Sequence, residues 1–160
     1  MVNAMTGLDG GKDRAGRLPA QPAPGRCILV VDDSPAIRGI VARALSEARY
    51  AVLEAEDGAL ALEILERGGV SIDLVLTDIK MPRLDGLELG RRIAARNWQV
   101  PVLYMTGGTG DAIVADGPGH AVAPFLRKPF SMDRLIDVVD RMLPARPLGN
   151  AAVEECAAPA

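Results

Sequence analysis

Short apolar runs alternate along this chain with stretches in which apolar residues recur at helical spacing. "CILVVDD" is apolar, β-branched and too short for an ordinary helix, and predicts a first strand. Ser34 can then cap, and Pro35 open, a helix whose apolar residues Ile37, Ile40, Val41, Ala44, Leu45 and Ala48 share a face. "YAVLEA" predicts a second strand, and Asp57 to Arg67 a second helix stopped by Gly68-Gly69. Leu74 to Thr77 is the third strand. A helix over Leu87 to Ala95 follows, weakened by Gly90, which costs roughly 1 kcal/mol against alanine in a helix interior. "VPVLYMT" and "PFLRK" predict the fourth and fifth strands. The last helix starts near Ser131 and turns Met132, Leu135, Ile136, Val139 and Leu143 to one side.

Strands that alternate with helices imply an α/β protein with a doubly wound parallel sheet, because parallel neighbours need crossover connections. The first and third strands are the most continuously apolar and belong at the centre. A strand order of 2-1-3-4-5 satisfies this, and places a ligand crevice beyond the carboxyl ends of strands one and three.

Composition changes this picture little. A length of 160 residues suits one domain, which the pattern places at residues 26–143. The Gly- and Pro-rich stretches 1–25 and 144–160 read as flexible tails. A net charge of −3, with a mildly acidic middle, gives no footprint for direct nucleic-acid binding. The sequence offers no long apolar run for membrane insertion and no secretory leader, so a cytoplasmic location is the default expectation. Cys27, in a strand, and Cys156, in a tail, do not suggest a disulfide framework.

The candidate chemistry stands at the strand ends. Asp32 and Asp33 follow strand one, Asp78 strand three, Thr106 strand four and Lys128 strand five. Three carboxylates in one crevice repel unless a cation is present, and hard oxygen donors that leave room for water and phosphate suit Mg²⁺. An aspartate can act as a nucleophile toward phosphorus and form an acyl phosphate. The metal, Lys128 and the Thr106 hydroxyl would balance charge on the phosphoryl oxygens. Asp78, ending a central strand and facing the acid pair, is the candidate nucleophile.

With Asp32-Asp33, Asp78 in "TDIKMPRLDG", Thr106 in "LYMTG" and Lys128-Pro129 in "FLRKPF", the chain resembles the receiver domains of two-component response regulators over about residues 26–143. The resemblance implies a flavodoxin-like (βα)5 fold and a phosphoacceptor signalling domain that is not an enzyme in the usual sense, although it assists its own phosphorylation and dephosphorylation. It implies that Asp33 and Asp78 bind Mg²⁺ directly, Asp32 mainly through water, and the Lys80 backbone carbonyl as a further ligand. Lys128 would bridge to the phosphoryl group, Thr106 would move to bond it, and Phe125 would be the aromatic switch residue. A cis peptide at Lys128-Pro129 is also implied. The partners implied are a sensor histidine kinase or histidine phosphotransfer protein and an unknown downstream protein.

Two features depart from that pattern. Lys80, two residues past Asp78, overhangs the phosphoryl position. The glycines after Thr106, with Gly117-Pro118-Gly119 beyond, predict a short or mobile fourth helix. Met81-Pro82 and Asp85-Gly86 read as turn chemistry, and Trp98 as a packing residue. His120, the sole histidine, lies in a Gly/Pro-rich loop, so the phosphodonor is expected on another protein.

Rival functions meet specific obstacles. A haloacid-dehalogenase-type phosphatase wants an acid two positions past its nucleophile, where this chain has Lys80. A dinucleotide fingerprint belongs at the first strand-to-helix turn, where this chain has "DDSP" and not "GGTGDA". A phosphorylation-independent protein-binding module on a receiver scaffold is the closest rival. The short stretch after Leu143 leads to the expectation of a single-domain protein that signals by docking or by passing its phosphoryl group on.

Overall fold

The computed structural model describes residues 25–107 and 124–143. The stretches read as tails (apart from Gly25), the expected short fourth helix, His120 and Cys156 lie outside the described residues. The strands β1 (Cys27–Val31), β2 (Ala51–Ala55), β3 (Leu74–Asp78), β4 (Val102–Thr106) and β5 (Phe125–Arg127) alternate with α1 (Pro35–Glu47), α2 (Gly58–Arg67) and α3 (Gly86–Ala95), and α4 (Met132–Met142) follows β5. All strand pairs are parallel, in the order β2-β1-β3-β4-β5.

Every residue of β1 and β3 is buried, whereas β2 and β5 keep partly open positions as sheet edges should. Side chains alternate across each strand, so the two faces build two cores. Ile28, Val30, Leu74, Leu76, Leu103 and Met105 pack with Val41 and Leu45 of α1 and Leu135 and Val139 of α4. Leu29, Val31 and Val75 pack with Ala61 and Leu62 of α2 and Leu89 and Ile93 of α3. This two-sided cover is the doubly wound, flavodoxin-like arrangement. Trp98 packs against the second core, with the Arg96 guanidinium 5.3 Å from its ring centre.

Helix starts follow local capping chemistry. Ser34 accepts from the Ile37 N–H ahead of Pro35, and Ser131 accepts from the Arg134 N–H. Asp57 stands just outside α2, because its carboxylate accepts from the Leu60 N–H at 2.8 Å. Asp85 caps Glu88 N–H at 2.8 Å in the same way, which moves the start of α3 back to Gly86. The fourth strand begins at Val102 because Pro101 has no N–H for the ladder; its carbonyl still accepts from Val75 N–H at 3.0 Å.

Gly90 differs from its sequence reading. A β-carbon there would collide with the Tyr104 hydroxyl, so the residue that weakens α3 by propensity is the one that lets α3 lie against β4. Among the described residues no helix is long and apolar enough to cross a membrane.

Candidate functional site

Parallel register sets the site. Val31 pairs with Thr77, so the residues that follow them, Asp32 and Asp78, emerge side by side. Thr106 pairs with Arg127, which brings the next residue, Lys128, to the same end of the sheet. The Lys128 N–H donates to the Thr106 carbonyl at 2.7 Å, and the Lys128-Pro129 peptide is cis, as the resemblance implied.

Lys128 is the electrostatic centre. Its Nζ donates to Asp32 Oδ2 at 3.0 Å and to Asp78 Oδ1 at 2.8 Å, joining residues far apart in the chain. The second oxygen of each acid is held by backbone: Asp32 Oδ1 accepts from the Ser34 N–H at 2.9 Å, and Asp78 Oδ2 from the Lys80 N–H at 3.1 Å. Asp32 is 1% exposed, so the lysine is the partner that makes its burial tolerable. Asp33 is exposed beside it. Thr106 is buried at the end of β4, while Phe125 is 52% exposed on the edge strand.

The charges do not balance. Burial raises the Asp78 carboxyl above its ordinary range, and the negative Asp32 adds to this; the Lys128 hydrogen bond and charge oppose both without cancelling them. Burial alone would lower the Lys128 ammonium, but hydrogen bonds and charge from Asp78 and Asp32 together raise it. One cation with two carboxylates is well satisfied, whereas a buried carboxylate that shares a cation with another is not.

That deficit of positive charge is what a divalent cation would relieve. Among the described residues no three His, Cys, Asp or Glu side chains form a ready-made metal cluster. Mg²⁺ does not require one: it is commonly held by one or two carboxylates, with water and phosphate completing its shell. The donor set here, two held carboxylates with the exposed Asp33 adjoining, fits that habit.

Other residues, read as turns or left aside in the sequence, shape the site. The Arg38 guanidinium donates to the Asp32 carbonyl at 2.8 Å and to Glu54 at 3.2 Å, bracing the acid-pair turn. The Thr77 hydroxyl donates to the Asp78 carbonyl at 2.9 Å. A β-carbon on Gly86 would strike that same carbonyl, so "DG" is a packing requirement as well as a turn. Only the glycine in "LDG" signalled this in the sequence.

Fold and site together define an α/β domain with an acid-rich, lysine-bridged crevice at its topological switch point. Residues 28–140 match the response regulator receiver domain family, and the chain belongs to it. It is 35% identical over 116 residues to the response regulator receiver protein CpdR of Brucella abortus, covering 72% of this chain and 95% of that protein. It is 37% identical over 116 residues to the sensor kinase CckA of the same organism, covering 72% of this chain but only 12% of the kinase. Among solved structures it is similar to the response regulator TrrA of Thermotoga maritima, crystallised in complex with Mg²⁺-BeF, with a TM-score of 0.61 and 31% identity over 73% of this chain and 98% of that one.

Proposed function

We propose that this receiver domain accepts a phosphoryl group on Asp78 from a histidine of another protein, a sensor histidine kinase or a histidine phosphotransfer protein, in a Mg²⁺-dependent reaction. The observation that carries the reading is the Lys128 ammonium shared between Asp32 and Asp78. A carboxylate held by its backbone neighbour on one oxygen and by a lysine on the other presents a fixed nucleophile. Its partial desolvation, seen in the raised carboxyl, strengthens it toward phosphorus.

In the transfer, an Asp78 oxygen forms the new bond to phosphorus as the phosphorus–nitrogen bond to the donor histidine breaks. The electron pair stays on the departing imidazole nitrogen, which takes a proton from solvent. Lys128 would follow the developing charge on the phosphoryl oxygens, and the Thr106 hydroxyl would move to donate to them. Mg²⁺, when bound, supplies the remaining charge neutralisation. Asp33 and Asp78 would hold it directly, with Asp32 mainly through water and the Lys80 carbonyl as a further ligand. Phe125, exposed on the edge strand, is the side chain whose position would report the change.

The signal then passes by protein docking or onward phosphorelay in the cytoplasm, with no direct nucleic-acid contact. Incubation with Mg²⁺ and acetyl phosphate should add about 80 Da, and the gain should vanish in Asp78→Ala. A wild-type protein that gains no mass would favour a phosphorylation-independent binding module instead.

A further inference from the structure

The loop between β3 and α3 leaves Asp78 and Lys80, passes through "MPRLDG" and re-enters the fold at Gly86. Midway along it Arg83 takes φ 67°, a left-handed conformation that disfavours side chains other than glycine. A long cationic residue in that conformation needs a reason, and its contacts supply one. The Arg83 guanidinium donates to Glu56 at 3.0 Å and pairs with the carboxylate of Asp57.

Glu56 is solvated and adds little on its own. Asp57 is different: it is 1% exposed, one oxygen caps α2 through Leu60, and the other is buried and receives no aligned N–H. The Arg83 charge is what that second oxygen faces. Next to this pair the two turns touch by backbone, where Gly58 N–H donates to the Leu84 carbonyl at 3.3 Å. A β-carbon at Gly58 would stand 2.7 Å from the same oxygen. The β3–α3 loop is thus fastened to the β2–α2 turn at Arg83 and Leu84, a few residues from where the Lys80 N–H holds Asp78 Oδ2.

We infer that Arg83 and Asp57 form a latch that holds the β3–α3 loop, and through it the Lys80 N–H on Asp78, in the geometry for phosphoryl acceptance. Both are positioning residues: neither touches the reacting atoms. The inference rests on the proposed phosphoacceptor reading, and the experiment separates the two.

Wild type, Arg83→Gly, Asp57→Asn and the double variant are compared. Glycine adopts the left-handed conformation without strain, and asparagine caps a helix as well as aspartate, so both substitutions remove the ion pair and keep the fold. The readouts are hydrogen exchange of the Lys80 amide, the urea midpoint, and phosphorylation rate against acetyl phosphate concentration with Mg²⁺. Lys80 exchange should speed up about tenfold in each single variant, and the maximal rate should fall about fivefold with half-saturation unchanged. The double variant should be no slower than either single, as expected for one shared interaction. The urea midpoint should fall in Arg83→Gly, because the buried Asp57 oxygen then loses the charge it faces, and fall less in the double variant; a purely structural role would show that fall without faster Lys80 exchange or a lower maximal rate. Variants with wild-type exchange and rate, in a protein that is phosphorylated, would overturn the latch alone. Faster Lys80 exchange in a protein that takes no phosphoryl group would support the latch and reject the phosphoacceptor reading.

Discussion

Gly90 of α3 lies against the Tyr104 hydroxyl of β4 so closely that a β-carbon on the glycine would occupy the oxygen's space. Tyr104 is buried, and its phenol is raised by that burial, with the Arg91 charge opposing weakly. Helix propensity favours alanine at this position by roughly 1 kcal/mol, whereas overpacking a rigid, buried ring costs about 1–3 kcal/mol. Gly90→Ala should therefore destabilise the domain in urea titration. Combined with Tyr104→Phe, which removes the obstructing oxygen and leaves only the ring carbon close by, the same substitution should lose most of its cost.

The raised Asp78 carboxyl predicts a pH-dependent gain on its removal. A group whose folded value lies above its unfolded one favours folding below the ordinary carboxylate range, near pH 4, and loses that benefit as pH rises through the folded value. At neutral pH the ionised Asp78 thus costs stability. Thermal unfolding in metal-free buffer should show Asp78→Asn more stable than wild type at pH 7. The difference should close as pH falls toward about 4. A difference that persists at low pH would reject this assignment.

Lys128→Met removes the cation that Asp32 and Asp78 share. Leaving buried carboxylates without a partner costs about 3 kcal/mol, read as a lowered urea midpoint. The loss should be partly restored in the Lys128→Met/Asp78→Asn double variant, since one of the stranded charges is then gone. Acetyl phosphate labelling of Lys128→Met should be slower by roughly a hundredfold.

Lys80 is exposed at the mouth of the site, and its N–H is bonded to the proposed nucleophile at 3.1 Å. We expect its long side chain to screen the phosphorylated aspartate from attacking water. Phosphate release from phosphorylated Lys80→Asn should be faster by roughly fivefold. An equal lifetime would remove this side chain from the account.

Much of the fold was legible in the sequence because its signals are local. The Ser34 cap and the helix start near Ser131 rest on bonds to a backbone N–H three residues on, and the apolar runs of β1 and β3 declare their burial directly. Strand order followed from which runs were most apolar, and the switch point then pointed to Asp32, Asp33, Asp78, Thr106 and Lys128 as one constellation, of which the structure joins Asp32, Asp78 and Lys128 by side chain. Element edges shifted where a side chain capped in place of joining a helix, as at Asp57, or where a proline withheld a donor, as at Pro101.

Tertiary structure decided the rest, because the remaining interactions depend on distance through space and not along the chain. Which of two adjacent acids is buried on Lys128 depends on the β1–β3 register, and it is Asp32, with Asp33 left exposed. The value of Gly90 depends on a tyrosine from a neighbouring strand. The pairing of Arg83 with Asp57 depends on two turns meeting at the end of the sheet, and no pattern in "MPRLDG" announces it.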